Sequence, residues 1–243
     1  MVRRSSNADE RPSPRGARRV RRHVLIGITA TGTTGLLSTV MAGPARERLS
    51  LSTAYVALVL LVITLILGPI NVLRGLPNPV SFDRRRDVGI WAAVFSVAHT
   101  AIGLTVHFGG RMREYFLASP GVRGVFGMRV DPFGLTNYAG LLAVLLLLLL
   151  SAISNDYALR TMGTRPWRFV QRWAYAAVGL TIAHGIVYQI LEKQRAVLVA
   201  VFALMSVTLV GMQLTGRRQF LDSVRVRTDV RAREALPSVD VDR

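Results

Sequence analysis

"FVQRWAYAAVGLTIAHG", residues 169–185, opens a long apolar run with a polar side chain near each end, Gln171 at the entrance and His184 well inside. An apolar run of this kind crosses about 30 Å of hydrocarbon as a helix of about twenty residues. An ionisable side chain at that depth is costly unless it faces a bundle interior, a cavity or a cofactor. The stretch therefore decides the fold class, an all-α integral membrane protein, and leaves the imidazole to be explained.

Working outward, six apolar segments are expected, at roughly 23–42, 53–73, 88–108, 136–154, 170–191 and 196–215. Half of the 243 residues are hydrophobic, and the mean hydropathy is +0.36. The expected architecture is a six-transmembrane-helix bundle over residues 23–215. It is flanked by a disordered, basic cytoplasmic tail at 1–22 and a polar cytoplasmic tail at 216–243. There is no cysteine, which excludes disulfides, iron–sulfur clusters and thiolate metal sites.

The net charge of +17 could suggest nucleic acid, but its placement points to a membrane. Eight basic residues lie in the N-terminal tail, four from Arg74 to Arg86, four from Arg160 to Arg172 and seven in the C-terminal tail; the loops of the other side hold eight. With six spans this asymmetry places both termini in the cytoplasm and implies a multi-pass protein of the cell's inner (cytoplasmic) membrane. "VMAG" at 40–43 loosely resembles a signal-cleavage site, but the run before it is long for a signal. The third loop, about 109–135, carries aromatics and Leu117 that suit a membrane interface.

Four histidines are present. His23 falls at the mouth of the first span and His107 at the outer end of the third; both read as interfacial, His107 alternatively as a contact for a cofactor propionate or an outer substrate. His99 lies eleven residues beyond Val88, and His184 fourteen beyond Val170, which corresponds to about 16 and 21 Å along their helices. On parallel helices the two imidazoles reach similar depths. They could clamp a haem iron as axial ligands, or each could simply bond a neighbouring carbonyl or hydroxyl. Acidic residues are essentially missing from the spans, which speaks against a proton pathway or a transporter. Gly103, Ala177 and Gly185 leave room for a flat macrocycle, although small residues also serve helix packing.

"RRDVGIWAAVFSVAHTAIGL", residues 85–104, resembles the third helix of the ferric-reductase-like transmembrane family, with Arg85, Arg86 and Gly89 followed ten residues later by His99. "SNDYALRTMGTRPWRFVQRWAYAAVGLTIAH", residues 154–184, is similar to the same family's fourth loop and fifth helix. Within the family these stretches look most like the haem-binding membrane subunit of the bacterial methionine-sulfoxide reductase system. The resemblance implies a b-type haem held by His99 and His184. In two-haem relatives, further histidines stand where this chain has Arg85 and Gln171, so Gln171 marks a lost inner-haem position and one haem is implied.

The function expected is relay of single electrons to an extracytoplasmic acceptor, either a partner reductase or ferric iron. No flavin or nicotinamide module fits in the tails, so the donor, a quinol or a flavoprotein, lies on another molecule. Arg111 and Arg113 are candidate propionate contacts or headgroup contacts. Arg84, Arg85, Arg86, Arg168 and Arg172 either hold a flavin phosphate or only set the topology. The alternative function is a haem-free scaffold or assembly protein of the same fold, with a small-solute transporter behind it. No nucleic-acid partner is expected.

Overall fold

The computed structural model describes residues 14–76, 83–192 and 196–234. Helices dominate: α1 Pro14–Val40, α2 Ala45–Leu73, α3 Asp83–Gly103, α4 Pro132–Ala152, α5 Asp156–Met162, α6 Thr164–Gln171, α7 Trp173–Leu191 and α8 Ala196–Glu234. The starts of α4 and α5 are written locally. Asp131 accepts the amide of Gly134 at 3.1 Å with Pro132 as the first helical residue, and Asn155 accepts that of Ala158 at 2.7 Å. Both satisfy amides that have no partner within the helix.

The long α2 is the central element, packed against α1, α3 and α8, while α3 meets α4 and α4 meets α7. Its buried face runs from Tyr55 through Leu58, Leu61 and Leu65. Among the leucines of α4, Leu147 and Leu150 are buried, whereas Leu142, Leu145 and Leu149 are exposed. Apolar side chains facing both inward and outward are what a hydrocarbon solvent permits. Among the described residues, five helical stretches are long and apolar enough to cross a membrane: Gly16–Val40, Ala45–Leu73, Pro132–Ala152, Thr164–Leu191 and Ala196–Ser223.

Several segment boundaries differ from the expectation, each for a physical reason. α3 is not among the five apolar stretches, because Asp83 to Asp87 are all charged and occupy its first turns. It also stops at Gly103 rather than 108. There Tyr115, 2% exposed, accepts the backbone N–H of His107 and donates to the carbonyl of Gly103, both at 2.8 Å, folding the chain back. The tail read as disordered at 1–22 is helical from Pro14 onward, while residues 1–13 lie outside the described residues. Its anchor is Asp87, whose fully buried carboxylate receives Arg19 at 3.1 Å, Arg22 at 2.8 Å and His23 at 3.2 Å. The carboxylate is buried while its three basic partners are each about a third exposed, so the cluster ties α1 to α3 at the edge of the bundle. Likewise α8 continues through the segment read as a polar tail as far as Glu234, and residues 235–243 lie outside the described residues. The loop stretch 77–82 and Lys193 also fall outside them.

The connection between α3 and α4 forms a cap. It contains two short 3-10 turns, Phe108–Gly110 and Met112–Tyr115, and a small antiparallel hairpin, β1 Gly124–Val125 with β2 Met128–Arg129. Phe126 and Gly127 take positive φ at its tip, as a two-residue hairpin turn requires. This defines a hairpin end of the bundle; the opposite end carries Arg84 to Arg86, Arg168 and Arg172.

Candidate functional site

The structure brings His99 of α3 and His184 of α7 together, with ring centroids 6.3 Å apart and planes 73° to each other. Each ring is fixed through Nδ1. That of His99 lies 2.9 Å from the carbonyl oxygen of Ser50 on α2, and that of His184 lies 2.8 Å from the carbonyl oxygen of Thr136 on α4. A carbonyl only accepts, so Nδ1 donates in both rings, and in the neutral form of each ring Nε2 then carries the lone pair. The carbonyl bonds weighed as one alternative in the sequence are thus present, but they engage one nitrogen of each ring. Carbonyl bonding at the far nitrogen is also the arrangement that orients a metal-ligating histidine.

Gly140 explains how His184 approaches α4 so closely. It sits one turn beyond Thr136, and a Cβ there would stand 2.7 Å from both Cε1 and Nδ1 of His184. The residue four beyond a helical carbonyl partly covers that oxygen, so only glycine leaves the carbonyl open to the ring. Tyr188, one turn along α7, packs at 4.8 Å from the His184 ring and donates to Asn137 Oδ1 at 2.8 Å.

Both imidazoles line a cavity of about 370 Å³ at the hairpin end, with Leu58, Leu61 and Val144 among its apolar walls. His107 and Tyr115 close it under the cap. His107 Nε2 is 3.3 Å from a carboxylate oxygen of Glu192. Above it, Arg129 stacks 4.6 Å over Phe133 and grips Asp131 with two hydrogen bonds, of 2.6 and 2.8 Å. That grip holds the Asp131 carboxyl below its ordinary pKa of 3.8.

The remaining candidates fall elsewhere. Arg111 and Arg113 are exposed and do not line the cavity; Arg111 is engaged by Glu114 at 2.5 Å. His23 belongs to the Asp87 cluster. Gln171 is the last residue of α6, its amide 3.5 Å from the carbonyl of Leu150, and Arg172, itself of helical φ and ψ, joins α6 to α7. It lines a second cavity, of about 310 Å³, at the arginine end together with Arg85. Among the described residues no three His, Asp or Glu side chains converge. A bare ion would find only two ligands at His99 and His184, whereas an iron that brings its own equatorial nitrogens needs two.

A model of the family described as ferric reductase like transmembrane component matches residues 53–182, more than half of the chain. The chain belongs to this family. The family match takes in His99, Gly140 and Gln171 and ends two residues before His184. Membership supports a membrane electron-transfer role for the bundle that positions this pair.

Proposed function

We propose that the protein is a membrane electron relay that holds one b-type haem between His99 and His184 and passes single electrons to an extracytoplasmic acceptor. In this reading α3 is a sixth span, both termini are cytoplasmic and the chain sits in the inner membrane. In function the chain would resemble the membrane subunit of a methionine-sulfoxide reductase system. The donor is a quinol or a flavoprotein, and the acceptor a partner reductase or ferric iron, which makes the chain an electron-transfer subunit.

The observation that carries the proposal is the paired histidines. Two imidazoles bound to opposite faces of one metal, with metal–nitrogen distances of about 2.0 Å, have ring centroids about 6 Å apart; the observed 6.3 Å fits. The haem would supply a one-electron couple, and the protein would tune it through ligand orientation and burial. Ser50 and Thr136 fix the tautomer and present Nε2. Leu58, Leu61 and Val144 give the cavity apolar walls, and His107 and Tyr115 of the cap lie at its hairpin end.

The test is optical. Purified full-length protein from haem-supplemented cells is expected to show a Soret band with dithionite-sensitive α and β bands, at one haem per chain. His99→Ala and His184→Ala should each abolish them. A colourless wild-type preparation sinks the relay and leaves the scaffold reading. Two haems per chain would refute the assignment of Arg85 and Gln171 to a lost haem position.

A further inference from the structure

The cavity at the arginine end is lined by Arg85, Arg86, Arg168 and Arg172, and none of its described lining residues is acidic. Arg86 is the telling residue. Its side chain is 4% exposed, and Nη1 donates to Asp156 at 2.5 Å. Its Nε and Nη2 are buried and have no hydrogen-bond partner. A buried guanidinium with two idle donors costs free energy comparable to lost hydrogen bonds, so such donors imply a partner bearing oxygen acceptors. Arg85, Arg168 and Arg172 form no salt bridge with any described residue, and two of them, Arg168 and Arg172, are exposed at the mouth. The deeper walls are apolar, formed by Leu61, Leu65, Ile90 and Leu150.

We infer that this cavity binds a phosphate group carried on an apolar stem, namely the headgroup of an anionic phospholipid. A phosphate satisfies several guanidinium donors at once. At about 310 Å³ the space is far larger than one phosphate, and its inner walls suit glycerol and methylene groups. Basic pockets between membrane helices take anionic headgroups for these reasons. The site lies across Leu61 and Leu147 from the histidine pair, so the inference stands apart from the haem reading.

Full-length protein is purified in detergent, and phosphatidylglycerol retained per chain is measured by native mass spectrometry. Thermal unfolding is followed with added phosphatidylglycerol, phosphatidylcholine or inorganic phosphate. Phosphatidylglycerol is expected to be retained and to raise the unfolding temperature, with little effect of phosphatidylcholine. Affinity should fall about five-fold for each arginine lost in Arg85→Gln and Arg172→Gln, and both variants should keep the Soret band if the wild type has one. Arg217→Gln, exposed on α8, removes the same single charge outside the cavity and should leave retention unchanged. Equal loss in that control, or no preference for phosphatidylglycerol, overturns the site. Stabilisation by millimolar inorganic phosphate as large as by the lipid assigns the donors to a free phosphate and overturns the lipid.

Discussion

The two ends of one helix bundle carry cavities of similar size, about 370 and 310 Å³, and opposite chemistry. At the hairpin end two imidazoles, each bonded to a carbonyl, face a largely apolar space beneath an aromatic cap. At the arginine end four guanidiniums and Gln171 occupy the corresponding space. Leu61 and Leu147, 4% and 7% exposed, border both cavities and separate them. The same four helices, α2, α3, α4 and α7, contribute walls to both spaces, and α6 adds to the second alone. The backbone therefore sets the space, and a few side chains set what it holds.

The comparison breaks most visibly if the arginine end can be converted into a copy of the hairpin end. Arg85→His with Gln171→His places imidazoles on α3 and at the end of α6, and both positions line that cavity. The expected outcome is haem content rising from one toward two per chain by pyridine haemochromogen assay, with loss of phosphatidylglycerol retention. An unchanged ratio would mean that the side chains at 85 and 171 do not decide what the arginine end holds, and the comparison would fail there.

A smaller effect sharpens the role of the carbonyl bonds. Gly140→Val puts side-chain atoms where the His184 ring now lies, and overpacking of this kind costs about 1–3 kcal/mol. Haem content should fall several-fold and the Soret maximum should shift, whereas Gly179→Val, at a glycine with open space around it, should do neither. Equal behaviour of the two variants would remove Gly140 from the site.

Much of the outline was legible in the chain, because membrane helices announce themselves as apolar runs, and His99 and His184 stood out as polar residues at depth. What stayed hidden depends on contacts between segments. Gly140 looked like any small residue in a leucine-rich helix until the imidazole of α7 was seen against it. Asp87 looked like one charge among five, and only the fold shows it buried with Arg19, Arg22 and His23 around it, which is why a polar tail became helix. The end of α3 is set by Tyr115, twelve residues on. Arg111 and Arg113 lie in the loop after the third span, yet the arginine over the aromatic cap is Arg129, delivered by the hairpin.

The smallest expected effect compares the ends through their carboxylates. Arg129 holds Asp131 below its ordinary pKa, and the hydrogen bond from Arg86 does the same for Asp156. A carboxyl lowered in this way stabilises the folded chain above its unfolded value near 3.8 and loses that contribution as pH falls through the lower folded value. The unfolding temperature should therefore be flat above about pH 5 and drop from about pH 4 downward. Asp131→Asn should flatten that drop more than Asp156→Asn, because the Asp131 side chain is 26% exposed and that of Asp156 is 58%. Solvent screening limits the Asp156 pair to about 1 kcal/mol or less. A larger flattening by Asp156→Asn would instead place the stronger ion pair at the arginine end, and with it a greater stake in keeping Arg86 oriented toward its cavity.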